Sequence, residues 1–105
     1  MIVKNPIFLL FIISFFPYVI YSQSWTQYGD DINGEATGDQ SGISISLSGD
    51  GQKIAVGSWK YGFSDKGRVR VFQLSGGISW IQEGGNIDGE DAGDQFGRTV
   101  SLNND

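Results

Sequence analysis

Cysteine and histidine are both absent from the 105-residue chain. Their absence removes a disulfide framework, thiolate and imidazole zinc sites, Ser–His–Asp and Cys–His nucleophiles, and thiol redox motifs. Basic residues are scarce, with seven Lys and Arg against twelve Asp and Glu, for a net charge of −5. Six of the seven basic residues and every acidic one lie beyond residue 22, so that part carries a charge of −6. Nucleic acid and anionic membrane surfaces call for clustered Lys and Arg, and both are excluded as partners on this balance. Long hydrophobic runs are also missing, with one exception near the start. Residues 7–20 are almost unbroken hydrocarbon, preceded by Lys4 and followed by Ser22, Gln23 and Ser24. A positive start, a short apolar stretch and small residues at its exit predict a cleaved secretory signal over residues 1–22. The run is short of the ~20 apolar residues that a spanning helix needs, and Pro17 interrupts it. Small exported domains often rely on disulfides, so this one must draw its stability from elsewhere.

Self-similarity dominates the rest. Trp25, Gln27, Gly29, Ile32, Gly34 and Glu35 recur 55 residues later as Trp80, Gln82, Gly84, Ile87, Gly89 and Glu90. Without a gap, residues 25–50 and 80–105 share 13 identities in 26 positions. A fixed period of this size points to a solenoid, a propeller or an array.

One period reads as four short strands. Ile43, Ile45 and Leu47 alternate with Ser44, Ser46 and Ser48, which is the period of a strand. A tight turn follows at Gly49, Asp50 and Gly51, then a second strand over residues 53–58. Residues 59–67 form a polar loop, 68–74 a third strand, 75–77 a second turn and 78–83 a fourth strand. Residues 84–93 close the period as a loop rich in glycine and acid. The expected fold is therefore all-β, with antiparallel four-stranded blade repeats of 55 residues forming a partial β-propeller over residues 23–105. A β-sandwich and a β-helix are the alternatives. Ser44, Ser46, Ala55 and Gly57 are small enough to let neighbouring sheets approach, and plain solvent exposure would equally account for the serines. Trp25 and Trp80, equivalent in the repeat, are expected to sit between blades.

The repeat resembles the FG-GAP units of integrin-α-type β-propellers, in a secreted bacterial form. Phe96-Gly97 stands in the FG position and Gly57, Ser58 and Trp59 fall where GAP would be. The likeness covers residues 25–105 and implies a propeller that binds proteins or glycans. It departs at Ser41, which replaces Phe in the first copy, and at the GAP position, which lacks proline. Members that bind calcium carry an Asp-rich loop between the first two strands. Here Asp50 is the only carboxylate in that loop, too few oxygens for calcium, so the site does not carry over.

Two groups of residues remain as site candidates. Asp88, Glu90 and Asp94, the counterparts of Asn33, Glu35 and Asp39, place oxygens beside glycines where calcium could be wrapped. The spacing is not that of an EF-hand, and the competing reading is a solvated connection with glycines at positive φ. Trp59, Tyr61 and Phe63 cluster beside Lys60 and Lys66 and could stack on a sugar or protein ligand, or simply cap the end of the blade. No cofactor is otherwise indicated. Acidic pairs can cleave glycosidic bonds, but acids that recur with a repeat point to architecture rather than catalysis.

Leu102 and Asp105 align with Leu47 and Asp50, which puts residue 105 in the hairpin turn of the second copy. The expectation is an N-terminal fragment with about one and a half repeats, its neighbouring repeats lying outside this chain, or copies that self-associate into a ring. The expected function is a secreted or cell-surface, non-enzymatic repeat scaffold for protein or glycan binding and adhesion. The alternative is a fragment of a carbohydrate-active enzyme whose catalytic residues lie elsewhere.

Overall fold

A computed structural model describes residues 24–104. The segment expected to be a signal, residues 1–22, lies outside the described residues. Within them the chain is all-β and contains no helix. Strands β1 (Ser41–Leu47), β2 (Lys53–Ser58), β3 (Arg68–Ser75) and β4 (Ser79–Gln82) pair antiparallel, each with the next, in one open sheet. A short fifth strand, β5 (Ile87–Asp88), pairs with the start of β3. It continues the edge begun by β4, after two extra residues that bulge out beside Gly84 and Gly85. Sequence reading places the first four strands within a residue or two of their ends but assigns β5 to a loop, because two residues carry no period.

The β1–β2 turn is held by its own side chains. Ser48 Oγ donates to Asp50 Oδ1 at 2.7 Å, and the same carboxylate oxygen accepts from the Gln52 amide at 3.0 Å. The Lys53 amide in turn donates to Ser48 Oγ at 3.0 Å. Such local bonds favour the turn over an extended continuation.

Paired residues point to the same side of a sheet, so the register assigns two faces. One carries Ile45, Leu47, Ile54, Val56, Phe72, Leu74 and Trp80; the other carries Ser44, Ser46, Ala55, Gly57, Val69, Val71 and Ile87. Both faces are apolar, and each is covered in part by a segment from one end of the chain. Residues 28–33 lie across the first face. A Cβ on Gly29 would stand 2.5 Å from Trp80 Nε1, and the Trp80 amide donates to Asp30 Oδ1 at 2.9 Å. Val56, Phe72 and Leu74 are buried beneath, each contributing about 1.5–3 kcal/mol relative to exposure.

Residues 97–102 lie across the second face. Ser44 Oγ donates to the Gly97 carbonyl at 2.7 Å, and the Leu102 amide donates to Ser46 Oγ at 2.8 Å. A Cβ on Gly57 would collide with the Gly97 carbonyl oxygen and Ser44 Oγ. The small residues of this face thus admit another stretch of backbone at close range, as their size suggests. The aromatic pair expected between sheets divides instead. Trp80 is half-buried on β4, whereas Trp25 stands fully exposed at 102%. Trp80 is held by the pairing of β4 with β3, and among the described residues no strand pairs with the segment around Trp25.

Candidate functional site

The loop over residues 59–67 leaves β2 at buried Ser58 and returns to β3 at Arg68. It is anchored at both ends by backbone hydrogen bonds. The Tyr61 amide donates to the Ser58 carbonyl at 3.0 Å, the Lys60 amide to Asp39 O at 3.3 Å, and the Gly67 amide to Tyr61 O at 2.8 Å. Its far side is clamped by the second acidic loop. The amides of Gly93, Gln95 and Phe96 donate to the carbonyls of Ser64, Asp65 and Lys66 at 2.6, 2.9 and 3.0 Å. Ser64 and Asp65 sit at φ 53° and 58°, a left-handed conformation that non-glycine residues adopt only when their surroundings hold them there.

The three aromatics of this loop have different environments. Trp59 is half-buried, donates from Nε1 to Gln40 Oε1 at 2.5 Å, and has Lys60 Nζ and the Arg98 guanidinium 5.0 and 5.1 Å from its ring centroid. Tyr61 lies under the Arg68 guanidinium at 3.9 Å. Phe63 is 85% exposed. Cations at these distances attract the ring faces. They fix Trp59 and Tyr61 in place and leave Phe63 as the one aromatic of the loop turned freely to solvent.

Arg68 organises the acidic residues around it. Its Nε and Nη2 donate to Asp88 Oδ1 and Oδ2 at 2.5 and 2.8 Å, and Nη1 donates to both Glu35 oxygens at 3.1 and 3.0 Å. Arg70, buried behind it, donates to Asn33 O at 2.8 Å and Ser41 Oγ at 3.3 Å. Its Nε stands 3.4 Å from Glu35 Oε1, an ion pair without hydrogen-bond geometry. These bonds hold the Asp88 carboxyl below its ordinary range, first through the hydrogen bonds from Arg68 and then through its charge.

The two acidic loops are built alike. Asp39 Oδ2 accepts from the amides of Glu35 and Ala36 at 3.1 and 3.2 Å; Asp94 Oδ2 accepts from those of Glu90 and Asp91 at 3.1 and 2.9 Å. Gln40 and Gln95 follow at φ 53° and 54°. Asp39 also accepts from the Ser41 amide at 2.9 Å. Burial alone would raise its pKa, but these backbone bonds outweigh it and the net direction is down.

Of the calcium candidates, Asp88 therefore gives both oxygens to Arg68, Asp94 caps its own loop, and Glu90 lends its amide to that cap. Among the described residues no group of three acidic side chains gathers where a metal ion could be held. Sequence reading missed Arg68, Arg70, Arg98 and Gln40. The available signal was scarcity: three arginines in so acidic a chain invite the question of which carboxylates they meet.

Comparison with models of protein families, with curated proteins and with solved structures finds no match in any of the three.

Proposed function

We propose that this chain is part of an exported, non-enzymatic binding scaffold, whose sheet is one blade of an FG-GAP-like repeat and whose 59–67 loop presents Phe63 to an extracellular protein or glycan. The observation that carries the reading is an aromatic side chain 85% exposed on a loop with both ends hydrogen-bonded to its surroundings. A loop held at both ends presents the ring to a ligand with little ordering entropy left to lose. Aromatic faces stack on the apolar faces of sugars and fill pockets on proteins alike. Trp59, at the start of the same loop, has the cations of Lys60 and Arg98 beside its ring.

Three observations support the blade reading: the 55-residue similarity, the four antiparallel strands in sequence order, and the matching bonds of the two acidic loops. Export rests on the composition of residues 1–22.

The test is binding of the full chain and of Phe63→Ala to a printed array of oligosaccharides and to immobilised extracellular matrix proteins. Retained signal on one of these, lost in the variant without change in thermal stability, is the expected result. Equal binding by both proteins, or none by either, would overturn the reading.

A further inference from the structure

Among the described residues, the two faces of the sheet carry complementary features that go unmatched. On the first face, β1 presents Ile45 and Leu47, exposed at 63% and 54%, with Ile43, exposed at 56%, in the adjoining irregular stretch of the strand. This apolar ridge is larger than the scattered apolar residues normal on a protein surface. On the opposite face, Val69, Val71 and Ile87 line an open groove beside the terminal segment, whose Phe96, Val100 and Leu102 form the other wall. Ile87 and Phe96 are 49% and 40% exposed there.

We propose that the ridge of one copy of this chain docks into the groove of a second copy, giving head-to-tail association. The repeat itself supplies the argument for this occupant. Val100 and Leu102 occupy the positions of Ile45 and Leu47 one period later, and both are half-buried against the face that carries Ala55, Val69 and Val71. The chain thus shows, within itself, the β1 sequence pattern seated on this face. Glycine and serine at the contact leave room for it, and Gly97 approaches Val69 closely. The ridge repeats the apolar pattern, and the groove continues the face that receives it. Because the two lie on opposite faces of one sheet, the contact is heterologous: each copy keeps a free ridge and a free groove, and association continues until a ring closes. This inference is independent of the ligand role given to Phe63.

The experiment uses the full chain in sedimentation over a wide range of concentration, with Ile45→Lys to block the ridge and Ile87→Lys to block the groove. Both positions are about half exposed, so the fold should tolerate the substitutions, and circular dichroism checks it. The full chain should exceed the mass of a dimer, and each variant alone should be a monomer. The two variants mixed should form a one-to-one dimer, since each retains the feature the other lacks. Leu47→Lys should behave as Ile45→Lys. A monomeric full chain, association that survives Ile87→Lys, or a mixture that stays monomeric would each sink the proposal. Survival in the groove variant would indicate instead that β1 edges pair with one another.

Discussion

The Arg68 guanidinium meets the Asp88 carboxylate through two parallel hydrogen bonds, Nε to Oδ1 at 2.5 Å and Nη2 to Oδ2 at 2.8 Å. Cross-strand neighbours on β3 and β5, these residues tie the short fifth strand to the sheet. The same guanidinium holds Glu35 from the N-terminal segment and covers the Tyr61 ring. One side chain therefore joins four parts of the chain. Lysine would keep the charge but lose the fork that serves two carboxylates at once. Arg68→Lys should destabilise the fold by about 1–3 kcal/mol, read as a lower urea midpoint. A midpoint unchanged from the parent would show the network to be ornamental.

Acid should loosen the fold at three carboxylates. Asp88 is held down by hydrogen bonds from Arg68, and Asp50 by the Gln52 amide and the Ser48 hydroxyl; Asp39 ends below its ordinary value despite its burial. In the unfolded chain these carboxyls titrate near the usual Asp value of about 3.9. A group whose folded pKa is the lower one binds fewer protons when native, so its contribution is complete above the unfolded value and is lost as pH falls through the folded one. Stability should be level from neutrality down to about pH 5 and fall below about pH 4. Urea midpoints across pH test this, and Asp39→Asn should flatten part of the fall. A midpoint that holds level below about pH 3 would contradict it.

Gly57 is the tightest point between the sheet and the terminal segment, with no space for a Cβ beside the Gly97 carbonyl. Gly57→Ala should cost about 1–3 kcal/mol, as overpacking does, and should lower the thermal midpoint. Gly85, which meets nothing, provides the control: its alanine variant should be nearly neutral.

Phe63 offers the opposite case. At 85% exposure its replacement by alanine should move stability by no more than about 0.5 kcal/mol, because almost no buried contact is lost. A large loss on thermal melting would mean that the side chain is structural and not presented for binding.

Alternation was enough to locate strands, since Lys53–Ser58 coincides with its expected bounds and Arg68–Ser75 exceeds them by one residue. It could not say which face finds a cover. Ile43, Ile45 and Leu47 have the pattern of a buried edge and are exposed, while Ser44 and Ser46 receive the terminal segment. Strand period reports only that a strand has two sides; what lies over each side depends on where distant segments return. The same holds for the site. The aromatic loop was visible as a cluster within a few residues, but Arg68 and Glu35 lie 33 residues apart and meet only because the N-terminal segment crosses β3. Asp39 and Asp94 were noticed as recurring acids, and their role as acceptors for their own loops follows from backbone geometry that spacing alone leaves open.

The hydrogen bond from Ser44 to Gly97 spans 53 residues, whereas the three hairpins of the sheet close over connections of five, nine and three residues. Near neighbours meet soon and distant ones late, because a longer loop costs more entropy to close and gains nothing until its landing surface exists. Folding should therefore have an order, with the meander condensing first and the terminal segment latching onto it afterwards. In pulse-labelled refolding the Leu102 amide, held by Ser46, should gain protection after those of β2 and β3. During that interval the bare face of the young sheet would be open to the tail of whichever molecule arrives first, its own or a neighbour's.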